Sequence, residues 1–269
     1  MRLAFTTLAC PDWSLERAAG FGAEQGYEGI ELRLLDGELL DARLSSAQRR
    51  RVARTTADAG LSICAVDTSL RLVAADAGFA GEVRAWCELA AEWAAPVVRV
   101  FGGQPAEGVA LASALGRAAE RLAQAAEIAA PLGVRVAIET HDAFSGAATV
   151  AELVAGVPSA GSGVLWDTHH PHRMGDAPER VWDLLGGRVV HVHVKDARPR
   201  PDGGWDLVLL GEGSVPVAGA LNVLGSQGYA GWVAVEWEKR WHPEIAEPEV
   251  ALPQHAALLR TWLGAAAGG

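Results

Sequence analysis

Four apolar stretches in the second half of the chain each end in a side chain able to bind a proton or a cation. They are VRVAIE ending at Glu139, GVLWD at Asp167, VVHVHV with His193, and WVAVE at Glu236. Each alternates with the period of a strand. Val134, Val136 and Ile138 share one face, while Arg135, Ala137 and Glu139 share the other. Val164 and Trp166 alternate with Gly163, Leu165 and Asp167, and Val190, Val192 and Val194 with Val189, His191 and His193. Val233 and Val235 alternate in the same way with Trp232, Ala234 and Glu236. One face is apolar throughout, and the other finishes in two glutamates, an aspartate and a histidine. Three carboxylates brought together repel one another and take up protons unless a positive charge neutralises them, which a divalent cation does most simply. Three oxygen donors and one imidazole, with no thiolate, suit Mn²⁺ best, with Mg²⁺, Co²⁺ or Zn²⁺ as alternatives. Two octahedral positions then stay open for adjacent substrate oxygens, as in a hydroxyketone. Such a cation polarises the carbonyl and stabilises an enediolate. One carboxylate removes the proton beside it, and a second on the opposite side returns it.

For these four side chains to meet, the strands that carry them must lie side by side. Short β-rich runs at Leu3–Leu8, Gly29–Arg33, Leu61–Asp67, Val97–Phe101, Val134–Glu139, Val164–Asp167, Val189–Val194 and Trp232–Glu236 read as eight strands. Helical patterns fill most of the gaps. Ser14–Gly26 opens on a capping serine, Ser45–Ala59 ends at Gly60, and longer helices cover Gly81–Ala95, Glu107–Ala130 and Glu249–Leu263. Pro199–Gly213 reads as a long loop. No linker and no repeat divides the chain. Eight strand–helix units in 269 residues match a single (β/α)8 TIM barrel, of roughly 250 residues in its usual form. The open doubly wound alternative needs a glycine-rich first turn, and no GxGxxG follows the first strand. Active sites of such barrels lie at the C-terminal strand ends, which is where Glu139, Asp167, His193 and Glu236 fall.

Composition excludes other classes. Half of the residues are hydrophobic, ample for a packed core. Net charge is −10, and the longest basic run is Arg49 to Arg51, so a nucleic-acid partner is disfavoured. No stretch is long and apolar enough for a membrane span, and the N-terminal apolar run is too short for a signal peptide. The three cysteines, Cys10, Cys64 and Cys87, are odd in number and form no CxxC, which fits a reducing cytoplasm.

The stretches FTTLACPDWSLE, YEGIELR, WDTHHPHR, HVHVKDAR and VEWEKRWHPEI resemble the sugar phosphate isomerase/epimerase family. This is a xylose-isomerase-like barrel group that also contains ketose 3-epimerases, inosose dehydratases and endonuclease IV. The resemblance spans nearly the whole chain, so residues 1–269 are expected to form one such domain. It implies that Glu139, Asp167, His193 and Glu236 hold the metal, and that Glu139 and Glu236 are also the acid/base pair. A family D-x-x-H pattern places His170 on a substrate oxygen. Arg198 is the nearest counterpart of a family arginine that follows the strand-seven histidine, one residue out of step.

Neighbouring residues carry weaker readings. Lys195 continues the His193 face outward, where it either reaches a substrate oxyanion, carboxylate or phosphate or ends as a surface lysine. His141, two beyond Glu139, lines the mouth. Glu31 and Arg33 share the inward face of the second strand and either pair or touch substrate. His191 lies one layer deeper and reads as a hydrogen-bonded core histidine, while Glu238, beyond the last strand, supports Glu236. His169 and His172 line the mouth or meet solvent, and Gly211 and Gly213 shape a turn.

The activity implied is a divalent-metal-dependent isomerase or epimerase for a sugar or keto-sugar, working through a metal-stabilised enediolate. A lyase is the rival: a dehydratase or β-eliminating enzyme on a 3-keto sugar or inosose starts with the same proton abstraction. An endonuclease IV-like nuclease needs further histidines from early strands, yet all eight histidines lie at or after His141. A non-catalytic sugar-binding module is opposed by the intact acid/base pair. Barrels of this group often pair, so a homo-oligomer is expected by analogy alone.

Overall fold

The computed structural model describes residues 1–74 and 78–266, so residues 75–77 and 267–269 of the expected 1–269 domain lie outside the described residues. In chain order the elements are β1 (Arg2–Thr6), α1 (Leu15–Glu24), β2 (Gly29–Leu32), β3 (Leu34–Leu35), β4 (Glu38–Leu39) and α2 (Ser46–Asp58). Next come β5 (Ser62–Arg71), α3 (Phe79–Glu92), β6 (Val97–Phe101), α4 (Leu111–Ala129), β7 (Arg135–Glu139) and α5 (Ala147–Val154). Then follow β8 (Ser162–Asp167), α6 (His169–Arg173), α7 (Pro178–Leu185), β9 (Val189–Val194), β10 (Asp196–Pro199) and β11 (Trp205–Val208). The chain closes with α8 (Val217–Ser226), β12 (Trp232–Val235) and α9 (Pro248–Ala266).

Eight strands close into a parallel barrel in the order β1-β12-β9-β8-β7-β6-β5-β2, which is the expected (β/α)8 fold. Two compact halves make it up. One comprises Met1–Leu40, Leu44–Cys64 and Val192–Gly269; the other comprises Asp41–Arg43 and Ala65–His191. The divisions fall inside β5 and β9. The first half has its own buried cluster of Ala4, Cys64, Trp232 and Ala234. The second buries Ala65, Val97, Ala137 and Leu165, with Val190 against them. Register places side chains in levels: Phe101 pairs with Glu139 and Glu139 with Leu165, so Asp167 stands two residues further along its strand. Likewise His193 pairs with Ala234, and Glu236 stands two residues beyond.

Local chemistry explains the element ends. Ser14 caps α1, accepting from Arg17 N, and Ser45 with Gln48 forms a capping box on α2. Gly60 follows α2 at φ +75°, a conformation that favours glycine. At Gly161 a Cβ would lie 2.0 Å from Ala126 O, so only glycine lets the approach to β8 pass this close to α4.

The segment expected as a long loop, Pro199–Gly213, is partly ordered as a hairpin: β10 and β11 pair antiparallel from Asp196↔Val208 to Pro199↔Trp205. Its base is held by the buried Asp196 carboxylate, which accepts from the backbone N–H groups of Ala197, Gly211, Gly213 and Val215. Local sequence gives no sign of a pairing whose anchor lies up to 19 residues away. The short β3–β4 hairpin was likewise not foreseen. Among the described residues, no helix is long and apolar enough to cross a membrane.

Candidate metal centre

The half-barrel from Ala65 to His191 supplies two carboxylates. Glu139, the last residue of β7, is buried, with Oε2 3.4 Å from Arg99 Nε. Arg99 lies in the middle of β6 and is itself buried. Its Nη2 is 3.4 Å from Asp67 Oδ2, Nη1 donates to Thr68 O, and the guanidinium carbon stands 4.0 Å from the Phe101 ring centre. Thr68 Oγ1 in turn donates to Arg99 O. A guanidinium cannot lose its charge at neutral pH, so between Asp67 and Glu139 it is a permanent internal cation. Asp167 ends β8, and its Oδ1 accepts from His169 N at 2.7 Å and His170 N at 3.1 Å, which fixes the carboxylate's plane. Thr140 Oγ1 accepts from Asp167 N and ties the ends of β7 and β8.

Beside these carboxylates the rings of Phe101, His141, His170 and His169 run in series. Successive ring centres are 4.8 Å, 4.3 Å and 5.4 Å apart. His170 and His169 are buried, whereas His141 is partly exposed and lies 3.0 Å from Asp142 through Nδ1. That contact holds the Asp142 carboxyl below its ordinary pKa.

The other half-barrel supplies a histidine and a glutamate. His193 is fully buried on β9, its Nε2 2.7 Å from Glu31 Oε1 of β2 and its Nδ1 3.4 Å from Glu236 Oε1. Glu236 leaves the end of β12, and its Oε2 accepts from Lys195 Nζ at 2.5 Å. Lys195 also donates to Glu238 Oε1 at 2.6 Å. Burial works against a charge on Glu236, but Lys195 and His193 overcome it and hold the carboxyl well below the usual carboxylate range. The loop after Glu236 is clamped by buried Lys239, which donates to Pro243 O, Ile245 O and Glu247 Oε1, and by Trp237 Nε1 donating to Ala246 O.

Glu139, Asp167, His193 and Glu236 each offer a ligand atom, and these four atoms lie within 4.8 Å of one another. All four residues are buried. Three hard oxygen donors and one imidazole at that spacing suit a divalent cation, and the donor set fits the group expected from the sequence. A second, overlapping group consists of Glu31, His191 and His193. Of the other expected site residues, Glu31 and Lys195 contact members of the four-residue group, His170 donates its backbone N–H to Asp167, and His141 packs its ring against that of His170. Arg198 is not brought in: it is exposed on β10 and donates to Glu212 O at 2.6 Å. Arg99 and Asp67 were not anticipated. The available signal was an arginine at inward parity in an otherwise apolar run, VVRVF.

A family model described as xylose isomerase-like TIM barrel matches residues 20–262. No curated protein matches the sequence at a significant level. Among solved structures, L-ribulose 3-epimerase is 20% identical, with 98% of this chain and 95% of that chain covered and a TM-score of 0.79. The probable 3-DHS dehydratase AsbF from Bacillus anthracis is 18% identical over 97% of this chain and 99% of that one, with a TM-score of 0.77. The IolI protein with a binding zinc atom is 19% identical over 100% and 98%, with a TM-score of 0.80. At these identities the likeness is one of fold.

Proposed function

The chain belongs to the xylose isomerase-like TIM barrel family, and from that premise we propose that residues 1–269 work as one catalytic barrel, a divalent-metal-dependent isomerase or epimerase acting on a sugar or keto-sugar. The observation that carries this reading is the buried group of Glu139, Asp167, His193 and Glu236 at the strand ends. These four residues hold the cation, with Mn²⁺ preferred by a donor set rich in hard oxygens. When bound, the cation polarises the substrate carbonyl and acidifies the neighbouring carbon.

The proton transfers belong to the two glutamates. Glu139 ends β7 and Glu236 follows β12, and on this reading each addresses the reacting carbon from its own side. One carboxylate takes the proton from that carbon, and the other, protonated, delivers its own to the opposite face; the reverse reaction exchanges their parts. Arg99 and Lys195 steady the two carboxylates. His170 and His141 contact substrate oxygens, and Lys195 stands where it can meet one while held by Glu236 and Glu238. This part of the assignment gives Arg198 no work.

The test is metal analysis of the purified protein, followed by a panel of ketoses and keto-glycosides turned over in deuterated water. An isomeric product carrying solvent deuterium supports the reading. Loss of water or of an aglycone instead makes the enzyme a lyase with the same first step, a reaction class represented by the dehydratase of similar fold. Full activity in protein stripped of every divalent cation would sink both. Cleavage of abasic DNA would assign a nuclease instead, an outcome that the net charge of −10 opposes.

A further inference from the structure

The two overlapping groups of ligand atoms share His193, and the surroundings of its ring separate them. Glu31 is carried by β2, whose register with β1 sets it beside Thr6, and its Oε1 lies 2.7 Å from His193 Nε2. Both side chains are fully buried, so no solvent competes for this contact. With Glu31 ionised, its carboxylate only accepts hydrogen bonds, so the proton between them belongs to Nε2, which donates it. An imidazole that binds a cation does so as the neutral ring, with a single ring proton, and with that proton on Nε2 the lone pair offered to the cation is on Nδ1. That nitrogen faces Oε1 of Glu236, a member of the four-residue group, at 3.4 Å. A nitrogen that donates to Glu31 cannot also bind a cation.

We propose that Glu31 is a positioning residue and neither a metal ligand nor a substrate contact. It fixes His193 with Nε2 protonated, and so commits Nδ1 to the group formed with Glu139, Asp167 and Glu236. This assignment rests on the reading that this group holds a cation, and it adds which nitrogen binds and what sets the ring. Carboxylates that receive the second N–H of a ligating histidine raise its basicity and hold its orientation, and their loss weakens metal binding by about 10- to 100-fold. His191, although part of the overlapping group, then contributes to the interior rather than to the cation.

Two measurements test this. Nitrogen NMR of protein labelled with ¹⁵N at histidine, freed of metal, reads the His193 ring directly, with the signal identified by its loss in His193→Gln. The expected spectrum shows Nε2 with a directly bonded proton. A bare Nε2 overturns the proposal. Calorimetric titration with Mn²⁺ reads the consequence: Glu31→Gln is expected to bind about tenfold more weakly or worse, while His191→Gln stays within about twofold of the parent. Unchanged binding by Glu31→Gln overturns the proposal, as does loss of binding in His191→Gln with retention in Asp167→Asn. If the parent protein takes up no Mn²⁺, the cation reading itself fails. The spectrum of the metal-free protein still decides what Glu31 does to the ring.

Discussion

Glu139 and Glu236 each sit against a cation supplied by the chain, Arg99 for the first and Lys195 for the second. On the proposed function, replacing either glutamate with glutamine removes a proton carrier and a ligand oxygen together. Turnover of whichever sugar proves to be the substrate is expected to fall about a thousandfold or more in steady-state assays, with helical content unchanged by circular dichroism. Arg99→Leu addresses stability instead. It leaves Asp67 and Glu139 buried without their guanidinium, and is expected to cost about 3–5 kcal/mol in urea unfolding. At this scale the sequence was informative wherever alternation alone decides direction. Glu139, Asp167, His193 and Glu236 could be grouped because period-two parity turns them to one face at the C-terminal ends of their strands. The partners of those residues were hidden. Nothing in GIEL says that Glu31 meets a histidine 162 residues away, since the contact depends on how the barrel closes.

The elements show a similar division. Strands and helices carry local signatures, and Ser14, Ser45 and Gly60 mark ends that the backbone then adopts. The β10–β11 arm carries none, because its order comes from one carboxylate gathering four backbone N–H groups, three of them from a distant turn. Hence Asp196→Ala is expected to strand those donors and to cost about 3 kcal/mol. Hydrogen exchange should show protection lost at Gly211, Gly213 and Val215 before any global change. Gly213→Ala should act in the same direction, since its Cβ would stand 2.1 Å from Asp196 Oδ1.

Across the whole molecule, pH acts on stability through a residue outside the four-residue group. His255 is buried in α9 with Nδ1 against Ala251 O and its ring edge-on to Trp237 at 5.2 Å. Burial pushes its pKa down from 6.5 to about 4. The unfolded chain therefore binds a proton that the folded chain refuses between these values. Stability is complete above pH 6.5, falls as pH drops toward 4, and changes no further from this source below that. The loss is about 3 kcal/mol, and a denaturant series across that range should show a flatter slope for His255→Gln.

If the proposed cation is what the site takes up, Arg99 and Lys195 also bear on the life of the protein before that ion reaches it. Because the chain brings its own positive charges to the place where carboxylates crowd, a newly made molecule need not await a metal to become compact. Chelation should then silence the enzyme without dismantling it. Protein treated with EDTA is expected to keep its full far-ultraviolet spectrum and a single cooperative melt, and to regain activity when the ion is restored. A shortage of metal in the cell would leave a reserve of folded, idle barrels rather than a pool of chains for proteases to clear.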